Sequence, residues 1–233
     1  MIAVPTLHLI GDSTLSDKST TDSNPERGWG QLLPGCFRPD ISIVNHALDG
    51  RSTKSFIDEG HWARVLNSLR SGDWLVIQFG HNDQKYDQPL RYTDPASTYP
   101  ENLSRFAREA VGQGAHPLFA TSIYRRRFTT EGRPEDTLGE YPEAMRRLAG
   151  LLGHPLIDLH AHTCDLLNSL GPEKSKTLFL HFAPGAHPLY PQGKADDTHL
   201  SAYGAHAIAT LFASELRRLD LELARSLIPK LLK

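Results

Sequence analysis

Apolar residues gather in five short runs along the chain, at residues 6–10, 41–45, 74–79, 117–122 and 155–160. Each run is near-continuous rather than alternating, the pattern of strands covered on both faces of a parallel sheet. Helix-like stretches separate them, clearest at 61–70, 102–113, 141–152 and 202–219. This alternation predicts a doubly wound α/β fold. No repeat, low-complexity tract or linker divides residues 1–233, so a single domain is expected. Two polar segments, 84–100 and 129–139, read as surface loops of a length that is often functional. The Leu-rich stretch 219–233 reads as an extra packing helix or a dimer contact, with packing preferred.

Open α/β sheets place ligands at the carboxyl ends of their strands, so each strand end is a candidate site. The first run leads into Ile10-Gly11-Asp12-Ser13-Thr14, a turn that presents a serine hydroxyl where a helix would begin. Ser13 there reads as a nucleophile, or Ser13 or Thr14 merely caps the next helix. The second run leads to Asn45-His46-Ala47-Leu48-Asp49-Gly50, where Gly50 offers a backbone N–H with no side chain in the way. After the third comes Gly80-His81-Asn82-Asp83, whose Asn82 amide can donate to an oxyanion, although Asn and Asp are also ordinary turn residues. The fourth is followed by Tyr124-Arg125-Arg126-Arg127-Phe128. These arginines read as a solvated corner or, with the aromatics beside them, as forked donors for a polar or anionic substrate. Near the carboxyl end, Asp196-Asp197-Thr198-His199 is expected on a loop just ahead of the last helix. Asp196 can bend back there to orient His199, leaving the other ring nitrogen free to take a hydroxyl proton.

Composition narrows the classes. Hydrophobic residues make up 39% and charged residues 22%, ordinary for a soluble globular protein. A net charge of −2 supplies no basic field for nucleic acid, and no apolar stretch approaches the roughly 20 residues that span a bilayer. The start, Met1-Ile2-Ala3-Val4-Pro5, lacks a basic segment, so no signal peptide and a cytoplasmic location are expected. Cys36 and Cys164 match no zinc or redox spacing and are expected as free thiols. His154, His160, His162, His181 and His187 are not completed by a carboxylate or cysteine cluster, so no metal is expected. No Gly-rich phosphate loop is present, which sets nucleotide binding aside.

Taken together, Gly-Asp-Ser13, the Gly50 turn, Gly-His-Asn82-Asp and Asp196-x-x-His199 resemble the four sequence blocks of the SGNH (GDSL-type) hydrolases. The likeness is closest to bacterial rhamnogalacturonan acetylesterases. It is carried by Arg27-Gly28-Trp29-Gly30-Gln31, Asn45 through Ser52, Arg125-Arg126-x-Phe128, Gly139-Glu140-Tyr141-Pro142 and His187-Pro188-x-Tyr190-Pro191. The resemblance implies a flavodoxin-like three-layer sandwich with a five-stranded parallel sheet. It also implies a serine esterase that removes O-acetyl groups from carbohydrate without a cofactor. Ser13, His199 and Asp196 would be the catalytic residues, and the Ser13 N–H, Gly50 N–H and Asn82 amide the oxyanion hole. Arg125, Arg126 and Phe128 are expected to bind an acetylated, acidic oligosaccharide. Two departures bear on the pocket: Asp49 stands where related enzymes usually carry a small residue, and Leu138 where they often carry His. An esterase on acetylated xylan or sialic acid fragments is the alternative. A carbohydrate-binding protein without catalysis has no need of Ser13, Asp196 and His199 together.

Overall fold

The computed structural model describes residues 5–229. Most of the segment from which the absence of a signal peptide was inferred, residues 1–4, lies outside it, as do the last four residues of the Leu-rich stretch. A five-stranded parallel sheet forms the centre, built from β1 (Thr6–Gly11), β2 (Ser42–Asn45), β3 (Trp74–Gln78), β4 (His116–Ala120) and β5 (Leu156–Ile157). Its strand order is β2-β1-β3-β4-β5, with every neighbouring pair parallel.

Alternate side chains of the strands feed two separate cores. Leu7, Leu9, Val76, Leu118 and Ala120 point to one face, where α1 (Trp29–Leu32), α6 (Leu159–Lys174) and α7 (Ala202–Arg218) cover them. Ile10, Leu75, Ile77 and Phe119 point to the other, under α2 (Thr53–Asp58), α3 (His61–Ser68), α4 (Thr98–Gly112) and α5 (Tyr141–Leu152). The result is a three-layer α/β sandwich, as the near-continuous apolar runs imply. Buried aromatic side chains are worth roughly 1.5–3 kcal/mol each, and Phe56, Trp62, Phe79 and Phe106 form an interlocked cluster on the second face.

Several boundaries differ from the sequence reading, each for a local reason. The edge strand β2 exposes Ser42 and Val44, so its apolar run is not covered on both faces. The fifth strand is only two residues long, because Asp158 caps α6 by accepting from the Ala161 N–H at 3.2 Å. His160, expected in that strand, therefore begins a helix. α4 starts at Thr98 rather than 102, since Pro100 falls in the first turn, where its missing N–H breaks no bond. Beyond α7, residues 222–226 form a 3-10 turn with Leu223 and Leu227 buried, so the described part of the Leu-rich stretch packs against the first core.

A second, two-stranded antiparallel sheet, β6 (Phe179–Phe182) with β7 (Lys194–Leu200), lies between α6 and α7 in the chain. The expected loop carrying Asp196 and His199 is a strand, and an irregular one. Phe179 pairs with Leu200 while the next residue, Leu180, pairs with Asp196. Residues 197–199 therefore bulge out of the ladder, a device that re-aims side chains beside sites. Ser201 then caps α7 by accepting from the Gly204 N–H at 3.0 Å, a contribution of about 1 kcal/mol.

Candidate active site

Strand order reverses between β1 and β3, and the crevice at their carboxyl ends is where a flavodoxin-like sheet receives its ligand. Ser13 follows β1 and Asn82 follows β3. The Ser13 turn is closed by the N–H groups of Leu15 and Ser16, both donating to the Asp12 carbonyl at 3.1 Å. The Asp12 carboxylate accepts from the Thr14 N–H (3.0 Å) and hydroxyl (2.8 Å). Trp29 clamps the turn from outside: its N–H donates to the Thr14 carbonyl at 2.9 Å and its indole N–H to Gln78 Oε1 at 3.0 Å. Gly28 permits this approach, since a Cβ there would lie 2.1 Å from the Ser16 carbonyl oxygen. Gln31 adds two bonds to the Lys18 backbone. The Arg-Gly-Trp-Gly-Gln stretch thus serves to hold the serine turn.

Asp12 also faces Nδ1 of His81 at 3.2 Å, and the other His81 ring nitrogen lies 3.0 Å from the Ile123 carbonyl. Burial works to raise the Asp12 carboxyl, but His81 and the Thr14 bonds outweigh it and bring it down to about 2. His81 thereby ties the turns after β1, β3 and β4 together, a link that sequence spacing does not disclose.

His199 meets the serine from the opposite side. Its Nε2 lies 3.1 Å from Ser13 Oγ, and its Nδ1 lies 2.9 Å from Asp196 Oδ2. The other oxygen of Asp196 accepts from the N–H groups of Thr198 and His199, both at 2.9 Å. Burial opposes ionisation of Asp196, yet these bonds hold its carboxyl well below the usual range. The bond to Asp196 in turn raises the His199 imidazole above 6.5, against the effect of burial. Asp197 turns the other way, to Arg126 Nη1 (2.6 Å) and His181 Nε2 (2.8 Å).

Ser13, Gly50, Asn82 and His199 line one cavity of about 470 Å³. Gly50 has φ +73°, a conformation that side chains other than glycine's rarely adopt, and the Leu48 N–H bonds to the Gly11 carbonyl at 3.1 Å to hold this turn beside β1. Asn82 donates one amide hydrogen to the Arg51 carbonyl at 3.1 Å, which leaves the second for a ligand. Asp83 lies behind it, taking the Thr53 N–H (3.0 Å) and the hydroxyls of Thr53 (2.6 Å) and Thr93 (2.9 Å).

The arginines separate. Arg125 lines the cavity. Arg126 does not: its guanidinium is turned to Asp197 and to the Pro172 carbonyl (2.6 Å), over the Phe128 ring. Phe128 packs against the first core and also stands off the cavity, so Arg126 and Phe128 bind the fold rather than the expected ligand. Tyr124 is buried against His160. Of the two departures, Asp49 lines the cavity and accepts from Ser16 and Lys18, while Leu138 is buried away from it. The sequence reading missed Glu26 and Lys85, which complete the cavity wall. Among the described residues no group of three or more His, Cys, Asp or Glu side chains is arranged to hold a metal.

Ser13, His199 and Asp196 stand in the Ser-His-Asp geometry known from hydrolases, at the switch point of a parallel sheet. The chain belongs to the GDSL-like Lipase/Acylhydrolase family, whose model matches residues 9–207. It is 46% identical over 222 residues to the rhamnogalacturonan acetylesterase RhgT of Bacillus subtilis, covering 95% of this chain and 94% of that one. It is 34% identical to a probable rhamnogalacturonan acetylesterase of the same organism, YesY, over 95% of this chain and 97% of the other. Among solved structures it superposes on the Bacillus subtilis protein YxiM with a TM-score of 0.81 at 26% identity. That match covers 95% of this chain but 58% of the YxiM chain, so this chain spans little more than half of that structure.

Proposed function

We propose that the protein is a serine acetylesterase acting on O-acetylated pectic carbohydrate of the rhamnogalacturonan type. The observation that carries the reading is the unbroken relay from Asp196 through His199 to Ser13, with steps of 2.9 and 3.1 Å, opening into the cavity that Gly50 and Asn82 line. The names and near-full-length coverage of the two Bacillus relatives support the sugar class.

In the reaction, His199 Nε2 takes the Ser13 proton as Oγ attacks the acetyl carbonyl. Negative charge then collects on the former carbonyl oxygen. The Ser13 and Gly50 N–H groups and the Asn82 amide donate to it, and they stabilise the tetrahedral state more than the ester. Collapse breaks the ester bond, and His199 returns its proton to the departing sugar oxygen. Water, deprotonated by the same imidazole, attacks the acetyl-serine and releases acetate. Asp196 keeps the His199 Nδ1 proton in place and stabilises the imidazolium that forms twice per cycle.

Cys36 is buried with its thiol pushed up to about 11 by that burial, and Cys164 is likewise unpaired. Two inert free thiols support a cytoplasmic site of action on imported oligosaccharides. The chemistry is tested by acetate release from acetylated rhamnogalacturonan fragments, with and without a serine-directed inhibitor. Inhibitor-sensitive release is expected, with the label on Ser13. Release that persists after Ser13 is labelled would overturn the assignment.

A further inference from the structure

The cavity beside Ser13 is lined by side chains of both charges. Glu26 and Asp49 line it, and both are already engaged by the buried amine of Lys18, which lies 2.8 Å from Glu26 and also contacts Asp49. Lys85 and Arg125 line the same cavity. Arg91 joins them from the same long loop as Lys85. Its guanidinium covers the open face of Gly50, where an added Cβ would meet Nη2 at 3.1 Å.

Among the described residues, none of these three cations lies within 4.0 Å of a carboxylate. Arg125 is held only by neutral oxygens: Thr137 Oγ1 and the His81 carbonyl, both at 3.2 Å, and the Gln84 amide oxygen, which lies 2.9 Å from Nη2 once that amide is oriented to accept. Asp12 attracts Arg125 from farther off, but its oxygens are taken by Thr14 and His81. Partial burial depresses the Lys85 amine, and repulsion from Arg91 and Arg125 depresses it further. Asp12 and Asp87 pull the other way but touch none of the three. Cations gathered at a partly dehydrated site with no carboxylate in contact raise the free energy of the empty site, and an anion entering it relieves that. A guanidinium and an ammonium side by side suit a carboxylate in particular, one offering paired planar donors and the other a point charge.

We propose that Lys85, Arg91 and Arg125 form a carboxylate receptor that holds a uronate ring of the substrate beside the Ser13 hydroxyl. The proposal rests on Ser13 being the acetyl-accepting nucleophile, and it assigns the acid-recognising role to two residues of the 84–100 loop together with Arg125. Glu26 and Asp49, both paired with Lys18, leave the unpaired charge of the cavity to these cations. Specificity for acidic sugars then comes from the attraction of these cations for the carboxylate.

The test compares an O-acetylated galacturonate-containing oligosaccharide with the same oligosaccharide after its carboxyl groups are reduced to alcohols. At low salt the acid form is expected to be hydrolysed with kcat/KM at least about tenfold higher, an advantage that shrinks as ionic strength rises. Lys85→Gln and Arg91→Gln should each lower the acid-to-reduced ratio about threefold or more, chiefly through KM, and the pair together should bring it near one. Lys85→Arg, which keeps the charge, should retain the ratio and so separates loss of charge from loss of fold. Calorimetric binding of the deacetylated acid oligosaccharide to Ser13→Ala protein reads the receptor without turnover, and Lys85→Gln in that background should weaken it by a similar factor. Equal rates on the two substrates, or a ratio untouched in the double variant, would overturn the receptor while leaving the esterase intact. Acetate release from neither substrate would overturn the esterase reading, and the receptor proposal with it.

Discussion

Asp12, Thr14 and Gln78, which surround the Ser13 turn, are wholly excluded from water, whereas Asp196 and His199 on the β6–β7 hairpin keep 16% and 33% of their side-chain surface. The serine turn is held by what lies around it: two parallel strands, the Trp29 indole and a buried carboxylate bonded to three partners. The base is held by what lies within it, since Asp196 fixes its own strand through two backbone N–H groups and fixes the ring through a third bond. In the proposed reaction Ser13 keeps one position through two acyl transfers, while His199 exchanges protons with serine, leaving group and water. Burial suits the first requirement and a local, half-exposed bulge the second. Substitutions of Asp196 and His199 should therefore change chemistry with little change in stability, and substitutions behind the serine turn should change both.

The sharpest way to break this comparison is to remove the reacting groups themselves. Ser13→Ala and His199→Ala are each expected to lower kcat by more than about 10⁴-fold while leaving stability within about 0.5 kcal/mol, since neither side chain supports the core. Rates on an aryl acetate together with urea unfolding check both halves. Near-normal turnover in folded Ser13→Ala protein would sink the assignment.

Next in size is Asp196→Asn. The Asn oxygen can still accept from Thr198 and His199 N–H, so the bulge survives, but the ring loses its anionic partner. A fall in kcat of about 10³–10⁴-fold is expected. The pH profile supplies an independent readout. His199 acts as a base only when neutral, and Asp196 raises its pKa above 6.5. Wild-type activity therefore falls as pH drops through a value above 6.5, and in Asp196→Asn that acid limb should move to lower pH. Asp197→Asn, which releases Arg126 and His181 instead, should lower stability with little effect on kcat. The reverse result would mean that Asp197 is the working carboxylate.

Asn82→Ala probes the boundary between the two regions. Its amide meets negative charge only once the carbonyl becomes tetrahedral, so kcat should drop about 10²–10³-fold with a smaller change in KM. An effect confined to KM would make Asn82 a sugar ligand.

How far these groups could be found from the chain alone follows from how each is held. Ser13 and Asn82 lie directly past β1 and β3, whose buried apolar runs mark the strand ends, so pattern and motif agree on both. Asp196 and His199 were found by their spacing, yet their strand was read as a loop, because a bulge of three residues erases the two-residue period. Arg125 and Arg126 are adjacent and chemically identical. Only the fold shows that one lines the cavity and the other reaches back to Asp197 and Pro172. Lys85 and Arg91 come from a loop without hydrophobic period, and nothing in its sequence says which of its side chains turn inward. The Lys18 amine that Asp49 shares with Glu26 is legible only in three dimensions.

The smallest effect expected is on stability, and it tests whether burial behind the Asn82 turn is as complete as the geometry indicates. Asp83 is fully buried, with one oxygen taking three hydrogen bonds and the other taking none. Burial raises its pKa to about 7 in spite of the Thr53 and Thr93 bonds, and the negative charge of Asp12 adds to the rise. In the unfolded chain the same carboxyl titrates near 3.8. Between those values the folded protein binds the extra proton, so this group makes stability fall as pH rises from about 4 to about 7. Asp83→Asn keeps the oxygen that Thr53 and Thr93 need and removes the charge. The amide nitrogen that replaces the unbonded oxygen costs about 1–3 kcal/mol at every pH, so the readout is the change in the difference between variant and wild type. Urea unfolding at pH 5 and pH 8 should show the variant gaining on the wild type at the higher pH, by about 1 kcal/mol or more, since each unit of pKa difference is worth about 1.4 kcal/mol. A difference that stays constant with pH would mean that Asp83 is ionised in the folded protein, and that water or a moving side chain reaches its second oxygen.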